Sequence, residues 1–97
     1  MSLPHLEYER IVEQTVLSRV RVLLAEKFGV ATSAVELDST LVGDLGIEQA
    51  DMGYLALTLE EAFDIDITIE DAAHIVMVRD VVRCVLGLHA LLDDVQA

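Results

Sequence analysis

The chain has 97 residues, of which 54% are hydrophobic, a length and composition that suit one domain with its own core. Its formal net charge of −12 excludes nucleic acid as a partner, because affinity for phosphates comes from clustered Lys and Arg, and it opposes binding to an anionic membrane surface. Such acidity favours basic patches on protein partners, although it also serves simply to keep a hydrophobic protein soluble. We therefore predict one domain over residues 1–97, with its core at about 7–93.

The charge is unevenly distributed along the chain. Between Phe28 and Val78 there is no Lys or Arg, whereas 11 Asp and Glu residues lie in that span. All six basic residues belong to the flanking segments. This pattern predicts one wholly acidic pole, which solubility alone does not explain.

Membrane insertion is not expected, because the most apolar region, residues 72–92, is interrupted by Arg79, Asp80 and Arg83. The single cysteine, Cys84, excludes an internal disulfide, and its helical setting predicts a small buried or half-buried apolar group. The first residues show no basic segment followed by an apolar run, so a soluble cytoplasmic protein is expected.

The first predicted element is one long helix over residues 6–28, after a frayed lead-in at residues 1–5. Apolar residues recur there at three- and four-residue steps and form the stripe Val12, Val16, Val20, Leu23 or Leu24, and Phe28. Gly29 follows directly and is a natural C-terminal stop.

Residues 29–48 are predicted to form a long connection, a length that is uncommon in compact domains and often functional. Gly43 and Gly46 would let the backbone turn tightly before the next helix. The expected buried anchors of this loop are Val30, Val35, Leu37, Leu41 and Leu45.

A second helix is predicted from Gln49 or Ala50 to Phe63, with one inward face made of Met52, Leu55, Leu59, Ala62 and Phe63. Gly53 within it costs about 1 kcal/mol relative to alanine. Such a glycine indicates either close packing or room for an inserted group.

Thr68, with an acidic residue three positions later, is a variant of the capping box and should open a short third helix that ends near His74 or Ile75. A fourth helix is predicted over residues 78–92, with an inward face of Val78, Val81 or Val82, Val85, Leu88 and Leu92. No strand-like alternation is sustained, so the pattern predicts an all-α fold.

The segment Asp44-Leu45-Gly46-Ile47-Glu48-Gln49-Ala50-Asp51-Met52 resembles the modification motif of acyl and peptidyl carrier proteins. In that family the pattern is Asp-Leu-Gly, any residue, Asp, Ser, Leu, Asp, and the serine hydroxyl is esterified by 4′-phosphopantetheine. Glu48 is a conservative replacement, but Gln49 occupies the serine position and Ala50 the leucine position. An amide offers no hydroxyl for a phosphodiester bond. The matching residues are Asp44, Leu45, Gly46 and Asp51.

The resemblance extends over residues 12–92. Residues 55–64 resemble the family's second helix with its acidic end, residues 65–67 the loop to the third helix, and residues 78–85 the start of the last helix. It implies a four-helix bundle like that of acyl carrier proteins, with three longer helices, a short third helix and a long first loop.

The resemblance also implies a docking surface, whereas the departure at Gln49 argues against the family's cofactor. In the family, acidic side chains of the second helix dock onto basic patches of the enzymes that load, extend or unload the carrier; the alternative is a merely solvated helix face. Tyr54 departs from the pattern, because a glutamate is common at its position. Without the serine, 4′-phosphopantetheine is not expected at Gln49. The docking residues implied by the match are Asp44, Glu48, Asp51, Glu60 and Glu61.

No other residue pattern predicts a modification site, a metal site or catalysis. The acidic alternation over residues 64–70 resembles the opening of a calcium loop, but the required glycine and glutamate positions hold Ile69 and Ile75. Ser39 precedes Gln49 by ten residues and is expected to be a turn or capping residue. No pairing of a base with a nucleophile stands out, so no enzyme is expected. The other serines are not in register with the attachment position: Ser2, Ser18 and Ser33. The histidines do not have the paired spacing of a metal site: His5, His74 and His89.

Three hypotheses remain open. The favoured one is an acyl-carrier-protein-like domain, a monomer or weak dimer, that docks to enzymes or carriers of a fatty-acid, polyketide or peptide-type pathway without holding a thioester. The second is a conventional acyl carrier protein with an altered serine site. The third is a self-associating structural helical module, which the high aliphatic content would suit.

Overall fold

A computed structural model describes residues 4–87 of the chain. Within that part there are four α-helices and no strand, and the only β-bridge is an isolated one between Thr40 and Met77. The predicted four-helix fold with a short third helix and a long first loop is confirmed. The helices are α1 Pro4–Phe28, α2 Met52–Phe63, α3 Ile69–Ala73 and α4 Val78–Leu86, and short 3-10 turns span Thr32–Ala34 and Gln49–Asp51.

Helix α1 starts earlier than its apolar pattern predicts. It begins at Pro4, so the predicted lead-in at residues 1–5 is wrong for Pro4 and His5. Proline fits the first turn of a helix because the N–H it lacks would have no intrahelical acceptor there. The predicted stop is confirmed: Gly29 has φ +69°, and the next amide, Val30 N, donates to Leu24 O at 3.3 Å.

The core is almost wholly aliphatic, as the composition predicts. From the predicted stripe of α1, Val16, Val20 and Leu24 are buried, whereas Val12 and Phe28 are only half-buried. The buried apolar residues of the described chain are Val16, Leu17, Val20, Leu24, Val30, Val35, Leu41, Ile47, Leu55, Leu59, Ile75, Val78, Val81, Val82 and Cys84.

The long loop is anchored by the side chains that the sequence predicts and by one that it does not. Val30, Val35 and Leu41 are buried, and the other two predicted anchors pack half-buried against the core. Ile47 is also buried, and no periodic pattern marks it because it stands alone in irregular backbone. Its amide donates to Leu41 O at 3.0 Å, which closes the end of the loop on itself.

Main-chain hydrogen bonds join this loop to the segment between α3 and α4. Leu41 N donates to Val76 O, and Val78 N donates to Ser39 O, both at 2.9 Å. Ser39 is the turn residue that the sequence predicts: its hydroxyl donates to Ala34 O at 2.9 Å and accepts from Glu36 N at 3.0 Å. The loop is therefore held along its length although it contains little regular structure.

Helix α2 follows directly on the 3-10 turn and ends at Phe63, and the next residue, Asp64, is its C-cap with φ +54°. Its buried residues are Leu55, Thr58 and Leu59. The other members of the predicted inward face, Met52, Ala62 and Phe63, are half-buried. Burial of Thr58 does not leave its hydroxyl without a hydrogen-bond partner, because the hydroxyl donates to Tyr54 O at 2.8 Å.

The two remaining helices follow their capping signals. Thr68 Oγ1 accepts from Asp71 N at 3.0 Å, which confirms the predicted cap, and α3 ends at Ala73, one residue before the predicted His74. Helix α4 buries both Val81 and Val82, and Cys84 is buried as predicted. The predicted continuation to Leu92, with Leu88 inward, lies outside the described residues.

Gly53 is not a packing glycine, contrary to the close-packing interpretation. It has no positive φ, and a Cβ built there would meet nothing within 4 Å. We therefore expect Gly53→Ala to raise the free energy of unfolding by about 0.5–1 kcal/mol, since alanine favours a helix interior and restricts the unfolded chain. Urea unfolding followed by circular dichroism measures this gain. Gly29→Ala is the opposite control, because its positive φ makes a Cβ costly; a loss at Gly53 as large as that at Gly29 would contradict the prediction.

Candidate functional site

Gln49 lies at the junction between the long loop and α2. It is the first residue of the 3-10 turn, after Glu48 in an extended conformation. The turn is closed by Asp51 N, which donates to Glu48 O at 2.9 Å. Gln49, Ala50 and Asp51 are all exposed, so a partner can reach residue 49.

An open cleft of about 500 Å³ adjoins Gln49. It lies between the long loop, the start of α2, and the end of α3 with the segment that follows it. Apart from Thr40 and Gln49, its lining is apolar or glycine: Thr40, Val42, Gly43, Gln49, Met52, Ala72, Ala73, Ile75 and Val76. The site can therefore receive a slender apolar group beside residue 49.

One wall of the cleft is fixed by a reciprocal pair of hydrogen bonds. Asp44 Oδ2 accepts from Thr40 N, and Thr40 Oγ1 accepts from Asp44 N, both at 2.8 Å. A Cβ on Gly43 would lie 2.8 Å from Thr40 Oγ1, closer than real Cβ atoms approach, so a side chain there would displace the Thr40 hydroxyl. Asp44 is thus a structural residue of the loop as well as a predicted docking residue.

The side chains around residue 49 do not fit a phosphodiester-linked prosthetic group. Gln49 ends in an amide, and Thr40, the hydroxyl residue that shares its cleft, has its Oγ1 occupied by Asp44 N. The hydroxyls of Ser18 and Ser39 donate to main-chain carbonyls elsewhere in the fold. Ser33 is exposed in the turn Thr32–Ala34, in another part of the sequence, and Ser2 is outside the described residues.

The five predicted docking residues divide into two groups. Asp44 and Glu60 have internal partners: Glu60 Oε2 accepts from Ile67 N at 2.9 Å and so ties the loop after α2 to that helix. The side-chain carboxylates of Glu48, Asp51 and Glu61 belong to exposed residues and form no hydrogen bond or ion pair within the described part of the chain. These three carboxylates are available to a partner without breaking an internal contact.

Three arginines are held against the protein itself. Arg79 pairs with Asp38 at 2.8 Å, and Arg21 donates from Nε to Val35 O at 2.9 Å. Arg19 lies over the Phe63 ring, with its guanidinium carbon 4.6 Å from the ring centroid, and donates to a carbonyl at the end of α2. None of these contacts involves Glu48, Asp51 or Glu61, so the negative charge at the start and end of α2 stays uncompensated.

Cys84 lines a second cleft between α3 and α4, and its side chain is buried there. Burial raises the pKa of its thiol, and the nearby carboxylates of Asp71 and Glu60 raise it further. His74, in the same cleft, donates from Nδ1 to Glu70 O at 2.8 Å and has a structural role.

We expect Cys84 to react with iodoacetamide at least about tenfold more slowly in the folded protein than in urea at neutral pH, since only the thiolate is nucleophilic. The folded-state rate should also rise at a higher pH than the unfolded-state rate, because the folded pKa is the higher one. Mass spectrometry over a pH series measures both rates. Equal rates in the two states would contradict the burial.

Across residues 4–87, no three His, Cys, Asp or Glu side chains are placed to hold a metal ion. In the same part of the chain, no helix combines the length and apolar character needed to cross a membrane.

Comparisons with known proteins show the family of the chain as a whole. Residues 18–85 match the family model described as "Phosphopantetheine attachment site". The chain is similar to the acyl carrier protein of Campylobacter hominis, with 35% identity over 74 residues that cover 76% of this chain and 94% of that protein. It is also similar to the acyl carrier protein of Campylobacter fetus subsp. fetus, with 33% identity over 73 residues that cover 75% of this chain and 95% of that protein.

Proposed function

The chain belongs to the phosphopantetheine attachment site family, and from that premise we propose that it is an acyl-carrier-protein-like domain that docks to pathway enzymes without carrying 4′-phosphopantetheine itself. The observation that supports this is Gln49: it stands exposed at the start of α2, where the motif requires a serine. The pathway would be of the fatty-acid, polyketide or peptide type. The domain would have no catalytic activity of its own.

The proposed docking surface is the exposed negative charge around α2. Glu48, Asp51 and Glu61 would contact Lys and Arg on the partner, while Asp44 and Glu60 would chiefly maintain the shape of the loops on either side. Long-range attraction between these charges and a basic patch raises the rate of encounter and falls with added salt. The domain would be a monomer or weak dimer. It would meet these enzymes in the cytoplasm.

The proposal is tested by intact mass after incubation with coenzyme A and a broad-specificity phosphopantetheinyl transferase. The native chain and Gln49→Ser are treated in parallel, and Thr40→Val/Gln49→Ser tests whether the neighbouring hydroxyl contributes. We expect only the chains with serine at 49 to gain the pantetheine arm, because the fold and the docking surface are kept and only the nucleophile is missing.

The other outcomes of this experiment distinguish the two alternative functions, a conventional carrier and a self-associating helical module. The family description and the carrier relatives favour a conventional carrier as the second candidate; gain of the arm by the native chain would establish it and overturn our reading of Gln49. If neither chain gains the arm, the docking surface has changed as well, and a self-associating helical module becomes the better account. Light scattering then distinguishes that module, which should form a tight dimer, from an acidic monomer.

A further inference from the structure

Helix α1 has an exposed stripe of small and apolar residues on the side opposite its buried face. Val16, Val20 and Leu24 are buried in the core, whereas the residues on the other side of the helix are exposed. Because residues three and four apart are neighbours on a helix surface, four of these exposed residues form one continuous line. The α1 stripe consists of Ile11, Thr15, Ser18 and Val22. Ile11 is 64% exposed and Val22 is 52% exposed, so the stripe presents two large apolar side chains that the core does not use.

The two hydroxyl residues at the centre of the stripe have hydrogen-bond acceptors on their own helix. Thr15 Oγ1 donates to Ile11 O at 2.8 Å, and Ser18 Oγ donates to Gln14 O at 3.0 Å. Covering these side chains would therefore not leave a buried hydroxyl without an acceptor. The stripe can be buried against another surface along its whole length.

An open cleft lies beside each apolar end of the stripe. One cleft, of about 420 Å³, is lined by Ile11 and Thr15, and the other, of about 380 Å³, is lined by Val22 and by Phe63 at the end of α2. Ser18 borders both clefts, so together they form one groove along α1. Ile11 precedes Thr15 by four residues and Val22 follows Ser18 by four residues, so the stripe has the same spacing from either end. It is therefore complementary to an antiparallel copy of itself, with Ile11 of each copy opposite Val22 of the other.

The charge distribution favours a second copy at α1 and opposes it elsewhere. Helix α1 contains four acidic and four basic residues, so its formal net charge is zero. The rest of the chain holds the other 14 Asp and Glu residues and the other two basic residues, and so carries the whole charge of −12. Two copies that met through those other surfaces would bring like charges together. At α1 they can meet with the acidic surfaces kept apart.

We propose that this domain pairs with a second copy of itself through the α1 stripe, in a twofold arrangement that places Ile11 of each copy in the groove beside Val22 of the other. The inference goes beyond the docking proposal and does not depend on it, because no α1 residue lines the described cleft beside Gln49. Two exposed apolar side chains per copy form a smaller contact than a stable dimer uses, so the pairing should be weak, with a Kd on the order of 0.1 mM. Each pair presents two Gln49 clefts.

Sedimentation equilibrium of the native chain, from about 10 µM to about 1 mM, tests the pairing. We expect a reversible monomer–dimer equilibrium whose Kd is at least about threefold lower in about 0.5 M NaCl than in about 0.1 M NaCl, because salt screens the repulsion between two acidic chains. Docking to a basic enzyme surface responds to salt in the opposite direction. A monomer at every concentration, or a dimer that salt weakens, would overturn the inference and leave the docking proposal intact. If the native chain is monomeric and Leu91→Glu/Leu92→Glu makes it dimerise, residues 88–97 of the same chain cover the stripe instead.

Ile11→Glu and Leu57→Glu form a matched pair of variants for locating the contact. Each adds one negative charge at an exposed apolar position of a helix, and Leu57 on α2 is 59% exposed, close to the value for Ile11. In about 0.5 M NaCl we expect Ile11→Glu to raise the Kd of the dimer by at least about tenfold and Leu57→Glu to change it by less than about threefold. Equal effects of the two variants would contradict pairing through α1.

Disulfide crosslinking tests the twofold register. Positions 11 and 22 of one chain lie about 16 Å apart along α1, too far for an internal disulfide, and position 11 is equally far from position 11 of the other copy. Under mild oxidation, Ile11→Cys/Val22→Cys should therefore form a covalent dimer, whereas each single variant should remain mostly monomeric. The native chain, which keeps the buried Cys84, is the control for crosslinking through that thiol. Higher oligomers from the double variant, or equal crosslinking of a single variant, would overturn the twofold arrangement.

Discussion

Replacing Leu59 by alanine should lower the free energy of unfolding by about 2–5 kcal/mol, whereas the same change at Leu57 should lower it by less than about 0.5 kcal/mol. The two leucines lie two residues apart on α2, yet Leu59 is 0% exposed and Leu57 is 59% exposed. Alanine at 59 loses the transfer free energy of the removed carbons and leaves a cavity in the aliphatic core. Alanine at 57 creates no cavity.

This pair is a well-matched comparison because the chemical change, the helix and the charge are the same in both variants. The small propensity difference between leucine and alanine therefore affects both equally. Urea unfolding followed by circular dichroism, with the denaturant slope checked for change, gives the two free energies. A domain of this kind has about 5–15 kcal/mol in total, so the Leu59 variant should be visibly destabilised at room temperature. Equal losses at the two positions would mean that α2 does not pack on the core through Leu59.

Helix positions and caps could be predicted from the sequence because their causes are local. The three- and four-residue spacing of Val16, Val20 and Leu24 and the glycine after Phe28 define α1, and Thr68 marks the start of α3. The apolar stripe does not predict the early start of α1 at Pro4, because the stripe does not reach that far. The burial of Ile47 depends on tertiary contacts, so no short-range pattern contains it.

The candidate site likewise has some features that the local sequence predicts and others that depend on tertiary contacts. The motif predicts that the second helix begins at Gln49 or Ala50; the structure has these residues in the 3-10 turn that leads into α2, which begins at Met52. The sequence alone could not distinguish the predicted docking residues with internal partners from those without, because the hydrogen bonds of Asp44 and Glu60 depend on how the loops fold back. It marked Tyr54 only as a departure from the family pattern. The partial exposure of Tyr54 and its contact with Phe28 depend on how α1 and α2 pack together, which no short-range pattern contains.

Asp80 is the second residue whose removal should have a large effect. Its Oδ2 accepts from both Val76 N and Met77 N at 2.9 Å, at the start of α4. Two main-chain amides would lose their acceptor together, and hydrogen bonds to a charged group are stronger than neutral ones. We therefore expect Asp80→Ala to lower the free energy of unfolding by about 2 kcal/mol. Asp80→Asn should lose less, because an amide oxygen also caps helices.

Asp38→Ala is the matched control for Asp80→Ala. Each variant removes one negative charge from a chain of net charge −12, so any relief of repulsion is the same in both. Asp38 makes an ion pair with Arg79 at 2.8 Å, but its side chain is 78% exposed, so its loss should cost at most about 1 kcal/mol. Val76 O also accepts from Leu41 N, so loosening the start of α4 releases a wall of the cleft beside Gln49. Hydrogen exchange at Leu41 N should therefore accelerate in Asp80→Ala and not in Asp38→Ala; equal exchange in the two would show that the cleft wall is held without this cap.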